Sequence, residues 1–228
     1  MSDDDDEAFE RIANGLADAV LMSWIGDGTL AIEGKSAEEV QKEFVLLARQ
    51  KIAEGYTFPV TQDHRPRLLK NAARSEAEKD LTLAVLLKMT WVEHWVNGMI
   101  DYVTARQDLS NETASVLIRE LRLRSKMTAA WEILDLPEIP AEHIAAVDEL
   151  SKHRNHFVHY KWRGEGDDAV DLVLKALRRA DAAIEYFQQL EEQVLYGGRS
   201  SELSIFRQPE PPGITSETAL SQSLERSS

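Results

Sequence analysis

The residues of this chain best suited to chemistry crowd into one stretch, Ser151 to Arg163, SKHRNHFVHYKWR. The spacing predicts a helix that starts after Pro140 and breaks at Gly164 and Gly166. On a 3.6-residue spiral Ile144, Val147, Leu150 and Val158 form an apolar stripe, and Arg154 falls in the middle of it, one turn from both Leu150 and Val158. A guanidinium keeps its protons, so on a stripe that faces protein it must meet an anion, a set of acceptors or a second chain. His159 follows five residues later, rotated about 140° and advanced about 7.5 Å on an ideal helix. The two cannot converge from one straight helix. Convergence needs a local break, the long reach of the arginine, or a two-fold axis that brings a second copy opposite. Asn155 shares a face with His159 at i and i+4, where its amide can orient the imidazole.

The same stretch invites a metal reading. His153, His156 and His159 recur every third residue, but that step walks them around the helix by about 60° each time. Glu149, His153 and His156 do share a face, enough for a two- or three-ligand site. Such spacings arise readily on a charged helix surface, and neither a metal nor a cofactor is expected. The chain has no cysteine, which removes thiol nucleophiles, thiolate ligands and disulfides together. The glycines of Trp24 to Gly34 lack the lysine and the spacing of a phosphate loop.

The elements that must hold these residues read as helices throughout. Residues 1–6 (MSDDDD) form a disordered acidic tail, and 7–60 an N-terminal helical module. In that module Phe9, Ile12, Leu16, Val20 and Leu21 give one amphipathic helix, and Ser36 with Glu39 caps a second carrying Val40, Phe44 and Leu47. Asp27-Gly28 between them is a turn signal compatible with a small hairpin. The proline-containing stretch 56–66 is a linker to the main bundle at 67–197. The bundle opens with a helix from Arg67 to Ala105, broken near 74–79, whose part from Leu83 to Val103 is apolar around most of its circumference. One polar seam runs down it: Thr90, Glu93, His94, Asn97 and Asp101. A polar seam on a buried helix needs partners, and Arg154 is one for Glu93. Ser110 caps a further helix to about Lys126. Trp131, Ile133 and Leu134 pack before the motif helix, and a last long helix carries Val170, Val173, Leu177, Ala180, Ile184 and Phe187 until Gly197 and Gly198 stop it. Residues 198–228 are expected to be a flexible tail.

Composition sets bounds. With 228 residues and 43% hydrophobic content the chain can bury a substantial core. No apolar run reaches the roughly 18 residues of a membrane span, and an acidic opening is unlike a signal peptide, so a cytoplasmic address is the default. The net charge of −14 argues against coating nucleic acid through the whole surface. Its distribution softens this, since Arg119, Arg122, Arg124 and Lys126 cluster, as do Lys152, Arg154, Lys161 and Arg163.

Arg154-Asn155-His156-Phe157-Val158-His159 resembles the Arg-x(4 to 6)-His motif of the HEPN superfamily, and the all-helical setting is similar too, over roughly Glu76 to Tyr196. The resemblance implies an all-α helical bundle of HEPN type with an N-terminal extension. It also implies metal-independent RNA cleavage at a homodimer interface, as in toxins and phage-defence effectors that act on RNA. Carried onto this chain, Arg154 would hold the scissile phosphate and His159 would be the acid or base. Asn155, Glu93 and Asn97 would support them, and Lys152, Tyr160, Lys161 and Trp162 would bind RNA. An antitoxin or regulatory protein is the further partner implied. Where some toxin members carry a modifiable tyrosine two positions after the histidine, this chain has Lys161, so that regulation does not carry over.

Cleaving RNA without a metal needs a base for the 2′-hydroxyl proton, a cation over the phosphorane and an acid for the leaving 5′-oxygen. Histidine, with an ordinary pKa of about 6.5, suits both proton roles. The alternative is a noncatalytic helical dimer that binds a nucleotide, RNA or a protein, with Arg154 in an interface ion pair.

Overall fold

The computed structural model describes residues 3–57, 63–158 and 166–205, with side chains from 13 onward in the first helix and from 170 onward in the last long one. Every regular element among the described residues is helical. The axis is α4 (Leu81–Arg106). It follows α3 (Arg65–Ala77) after a sharp reversal in which Lys79 takes a left-handed φ of 62°. The Asp80 side chain then accepts from the Leu83 amide at 3.0 Å, a cap worth about 1 kcal/mol. The expected break therefore lies at 78–80, and α3 starts at Arg65, inside the stretch read as linker. Residues 58–62 of that stretch lie outside the described residues.

Around α4 pack α3, α5 (Asn111–Glu120), α8 (Ala141–Val158) and α9 (Gly166–Tyr196). Trp91, Trp95, Trp131, Met99 and Phe187 are fully buried, and Trp95 stacks on Phe187 with ring centroids 4.3 Å apart. Offset aromatic pairs of this kind add about 1 kcal/mol to the burial of their surface. α8 and α9 form an antiparallel hairpin: Glu149 pairs with Arg179 and His143 stacks on Tyr186, so partners further from the connection on one helix meet partners further from it on the other. Val173, Leu177, Ala180, Ile184 and Phe187 of the expected seam are buried, while Val170 is exposed.

The helix expected from Ser110 to Lys126 ends early, at Glu120, because Leu121 and Arg122 are extended. Ser110 does cap it, accepting from the Thr113 amide at 3.1 Å. A second helical run follows, made of α6 (Leu123–Ser125), a π-helical turn at Lys126–Ala130 and α7 (Trp131–Ile133). Trp131 and Leu134 point inward from it, whereas Ile133 is exposed.

The N-terminal part forms a smaller core of Leu21, Trp24, Ile25, Leu30, Ile32, Val40 and Phe44 between α1 (Asp3–Gly26) and α2 (Ala37–Ala53). Ser36 and Glu39 make the expected reciprocal cap. Two expectations change. α1 begins at Asp3, within the stretch read as a disordered acidic tail; aspartates in a first helical turn are favoured by the positive end of the helix dipole. The region read as a hairpin holds no strand; Trp24–Gly26 finish α1, and a turn follows with Gly28 at φ 80°.

The flexible tail also does not start at 198. After Gly197 and Gly198, both at positive φ, α10 (Ser200–Leu203) turns back and Leu203 is fully buried in the N-terminal core. Gln41 donates to the Leu203 carbonyl at 3.1 Å, and Asp18 accepts from the Ser204 hydroxyl at 2.9 Å. An apolar residue five positions beyond Gly198 finds burial that local composition does not announce. Residues 206–228 lie outside the described residues.

One side chain binds the two cores. Arg106, at the end of α4, donates to the carbonyls of Ile25 and Gly26 at 2.8 Å, of Val194 at 2.8 Å and of Leu195 at 2.7 Å. It caps the carboxyl ends of α1 and α9 together, where carbonyls have no helical partner and the dipole is negative. Gly26 is needed here, because a Cβ on it would lie 2.9 Å from Cε1 of Tyr102.

Candidate functional site at the rim of α8

Arg154 stands where the apolar stripe of α8 leaves the core. Val147 and Leu150 are buried and Ile144 is half-buried, but Val158 is 51% exposed. The stripe thus ends at Arg154 and does not continue past it, which corrects the expectation of a charge in mid-seam. The Arg154 side chain is 38% exposed, and its Nη2 lies 3.5 Å from Oε1 of Glu93 on α4. Its Nη1 donates to Oδ1 of the neighbouring Asn155 at 3.4 Å, a long bond on an exposed residue. Arg154 is therefore held lightly and remains open on one side.

The polar seam of α4 splits. Thr90 bonds back to the Leu86 carbonyl at 2.8 Å. Glu93 and Asn97 turn toward α8 and the π-helical turn. Asn97 does not contact Arg154; its Oδ1 accepts from Lys126 Nζ at 2.8 Å. Lys126 is almost fully buried, and that burial pushes its ammonium below the usual lysine range while Glu93 pulls it back up. Glu93 thus lies within the field of two cations, Arg154 and Lys126. Beside them Arg124 pairs with Asp148 of α8, and Arg179 of α9 with Glu149. His94 and Asp101, on the other edge of the seam, line a separate cleft under α1.

Lys126 joins this cluster, although the sequence named it only as a member of a basic patch and not as a site residue. Its signal is the one that marks Arg154: it lies one turn from both Leu123 and Ala130, on the buried side of its helix. The same applies to Lys88, in mid-core on α4 between Ala84 and Val92. Lys88 is 3% exposed, and its Nζ lies 2.5 Å from Glu76 of α3 and 2.6 Å from Asp181 of α9. Glu76 Oε1 meets the ammonium at a short distance but at an angle poor for a hydrogen bond, so the contact is ionic.

Of the other expected site residues, Lys152 is exposed on α8. His159, Tyr160, Lys161 and Trp162 lie outside the described residues. The metal reading loses its carboxylate, since Glu149 is engaged by Arg179. His156 is exposed; His153 is half-buried, with a buried Nδ1 that has no partner. Among the described residues no group of three or more histidines and carboxylates could hold an ion. Burial holds His153 below the usual histidine range, with the nearby Glu149 charge opposing and His156 adding to the effect.

No helix among the described residues is long and apolar enough to cross a membrane. Comparison of the chain with protein-family models, with curated proteins and with solved structures gives no match.

Proposed function

We propose that this chain is a metal-independent endoribonuclease of HEPN type, a toxin or phage-defence effector that works as a homodimer. The observation that carries the reading is the state of Arg154. It is a permanent cation at the rim of the core, held by one long ion pair to Glu93 and open to solvent, on the helix that leads into the Arg-x4-His sequence. A phosphate competes well for such a group, because bidentate contact with a phosphate is stronger than a single contact of 3.5 Å. In the reaction, one His159 takes the proton of the 2′-hydroxyl and the 2′-oxygen attacks phosphorus. The 5′-oxygen then leaves with a proton from the second His159 of the dimer, while Arg154 offsets the charge on the phosphorane. The products are a 2′,3′-cyclic phosphate and a 5′-hydroxyl.

The second reading, a noncatalytic helical dimer that binds a nucleotide, RNA or a protein, is favoured by the same pair read differently: Glu93 neutralises Arg154 as a structural counter-ion. One experiment separates the two. Purified protein is incubated with varied single-stranded RNAs in EDTA, and the ends of any product are mapped. Cleavage with cyclic-phosphate ends, lost in Arg154→Ala and His159→Ala, supports the nuclease. Intact RNA under all conditions, or cleavage undiminished in both variants, removes it.

A further inference from the structure

The half of the α4 seam that faces away from Arg154 opens on a cleft of about 800 Å³ between α1, the start of α3, α4 and the end of α9. That volume is in the range of small-ligand sites. Its floor is Gly98, inside the central core helix α4, and nothing lies within 4 Å of where a Cβ would stand. After proline, glycine is the poorest helix former, so a glycine here without a packing reason leaves the backbone bare to whatever enters.

The walls select for charge. Four carboxylates line the cleft, from Asp27, Asp63, Asp101 and Glu191, against one permanent cation, Arg65. Arg65 is already neutralised by two carboxylates: it holds Glu191 through Nη1 at 2.7 Å and Nη2 at 2.9 Å, and Asp63 through Nε at 3.0 Å and Nη2 at 3.0 Å. Asp101 is exposed and forms no ion pair with a described residue, and Asp27 accepts from the Thr29 amide at 2.9 Å and forms no ion pair with a described residue. Tyr102 and Tyr196 supply aromatic surface, and burial raises both phenols above the usual tyrosine range, so they stay neutral hydroxyls at neutral pH. The α1 side is apolar, with Leu16 45% exposed toward solvent.

We propose that this cleft binds an organic cation with a hydrocarbon body, an alkylammonium or guanidinium group. The charged head sits between Asp27 and Asp101, and the methylenes run over Gly98 along the face of α1. The site is separate from Arg154 and does not depend on ribonuclease activity. The chemistry is that of a polyamine, or of a basic side chain offered by a partner peptide, and the probes separate these sources.

The full chain is titrated by calorimetry with spermidine and, in a second arm, with an acetylated Lys-Arg dipeptide amide, each at 150 mM NaCl, with MgCl2 as the control for diffuse charge. Saturable one-to-one binding of spermidine alone assigns a small-molecule site; of the dipeptide alone, a peptide site. In either case Asp101→Asn weakens binding at least tenfold. Gly98→Leu, which fills the floor from a helix position with open space, abolishes it without lowering the melting temperature. Asp27→Asn is the second charge variant should Gly98→Leu fold poorly. The proposal is overturned if neither probe saturates, if MgCl2 competes as well as it binds the rest of the acidic surface, or if affinity is unchanged in Asp101→Asn and Asp27→Asn.

Discussion

Nη2 of Arg154 lies 3.5 Å from Oε1 of Glu93, with both side chains 38% exposed. A pair this long and this wet contributes less than about 1 kcal/mol to stability. Arg154→Ala is therefore expected to shift the denaturation midpoint only slightly. On the proposed function it costs cleavage at least about a hundredfold, as loss of a transition-state cation does. Glu93→Gln removes the competitor for the phosphate, and RNA affinity measured by fluorescence anisotropy should rise severalfold. Weaker RNA binding in Glu93→Gln would mean that the carboxylate positions Arg154 instead of restraining it.

Arg106 should be the most costly charged residue to lose. Its four contacts to carbonyls of Ile25, Gly26, Val194 and Leu195 join the two cores, and charge-assisted bonds contribute about 1.5–3 kcal/mol each when not offset by water. Arg106→Met is expected to lower unfolding free energy by about 3 kcal/mol or more in urea titrations and to expose the junction at 26–36 to limited proteolysis. Arg106→Lys should not restore it, because one ammonium cannot span two helix ends. A melt indistinguishable from the parent would show that water replaces the guanidinium.

The Lys88 ion triad predicts a non-additive cycle. Removing both Glu76 and Asp181 as alanines leaves a buried ammonium without its counter-ions, a loss on the order of 3–5 kcal/mol. Lys88→Met keeps the length of the side chain and removes the charge, so it should be tolerated better. The triple variant should then be more stable than the double. If the triple is the least stable of the three, the triad contributes more than a hydrophobic replacement can.

His153 gives a pH dependence with a fixed sign. Burial holds its folded pKa below the ordinary histidine value, so the unfolded chain binds the proton more readily. Its effect on stability is absent at neutral pH and above. As pH falls through the unfolded value near 6.5 toward the folded one, stability is lost. His153→Gln should flatten the fall in melting temperature between about pH 6.5 and 5. An unchanged slope would place the acid sensitivity elsewhere.

Much of the helical framework was legible because it depends on local pattern. The Ser36–Glu39 cap, the break after α3, the Ser110 cap and the stop at Gly197 and Gly198 each rest on side chains within a few residues of the backbone they serve. The apolar circumference of α4 likewise marked it as central. Of the candidate site, the Arg154–Glu93 pair was legible too, since a charge on each of two apolar helices asks for a partner of opposite sign. Asn97 was expected to support Arg154 and His159; the side chain it meets is Lys126, presented by a π-helical turn that no periodicity template contains.

The sequence by itself determined an all-helical chain, its main caps and the positions at which charge interrupts apolar stripes, because hydrophobic period and end chemistry act over one or two turns. Only the tertiary structure decided that the stripe of α8 runs out into solvent at Val158, that Lys88 and Lys126 are buried, that Leu203 returns to the N-terminal core and that Arg106 caps two helices. Those outcomes depend on which helix lies opposite and at what height, which is set by packing between segments up to 187 residues apart.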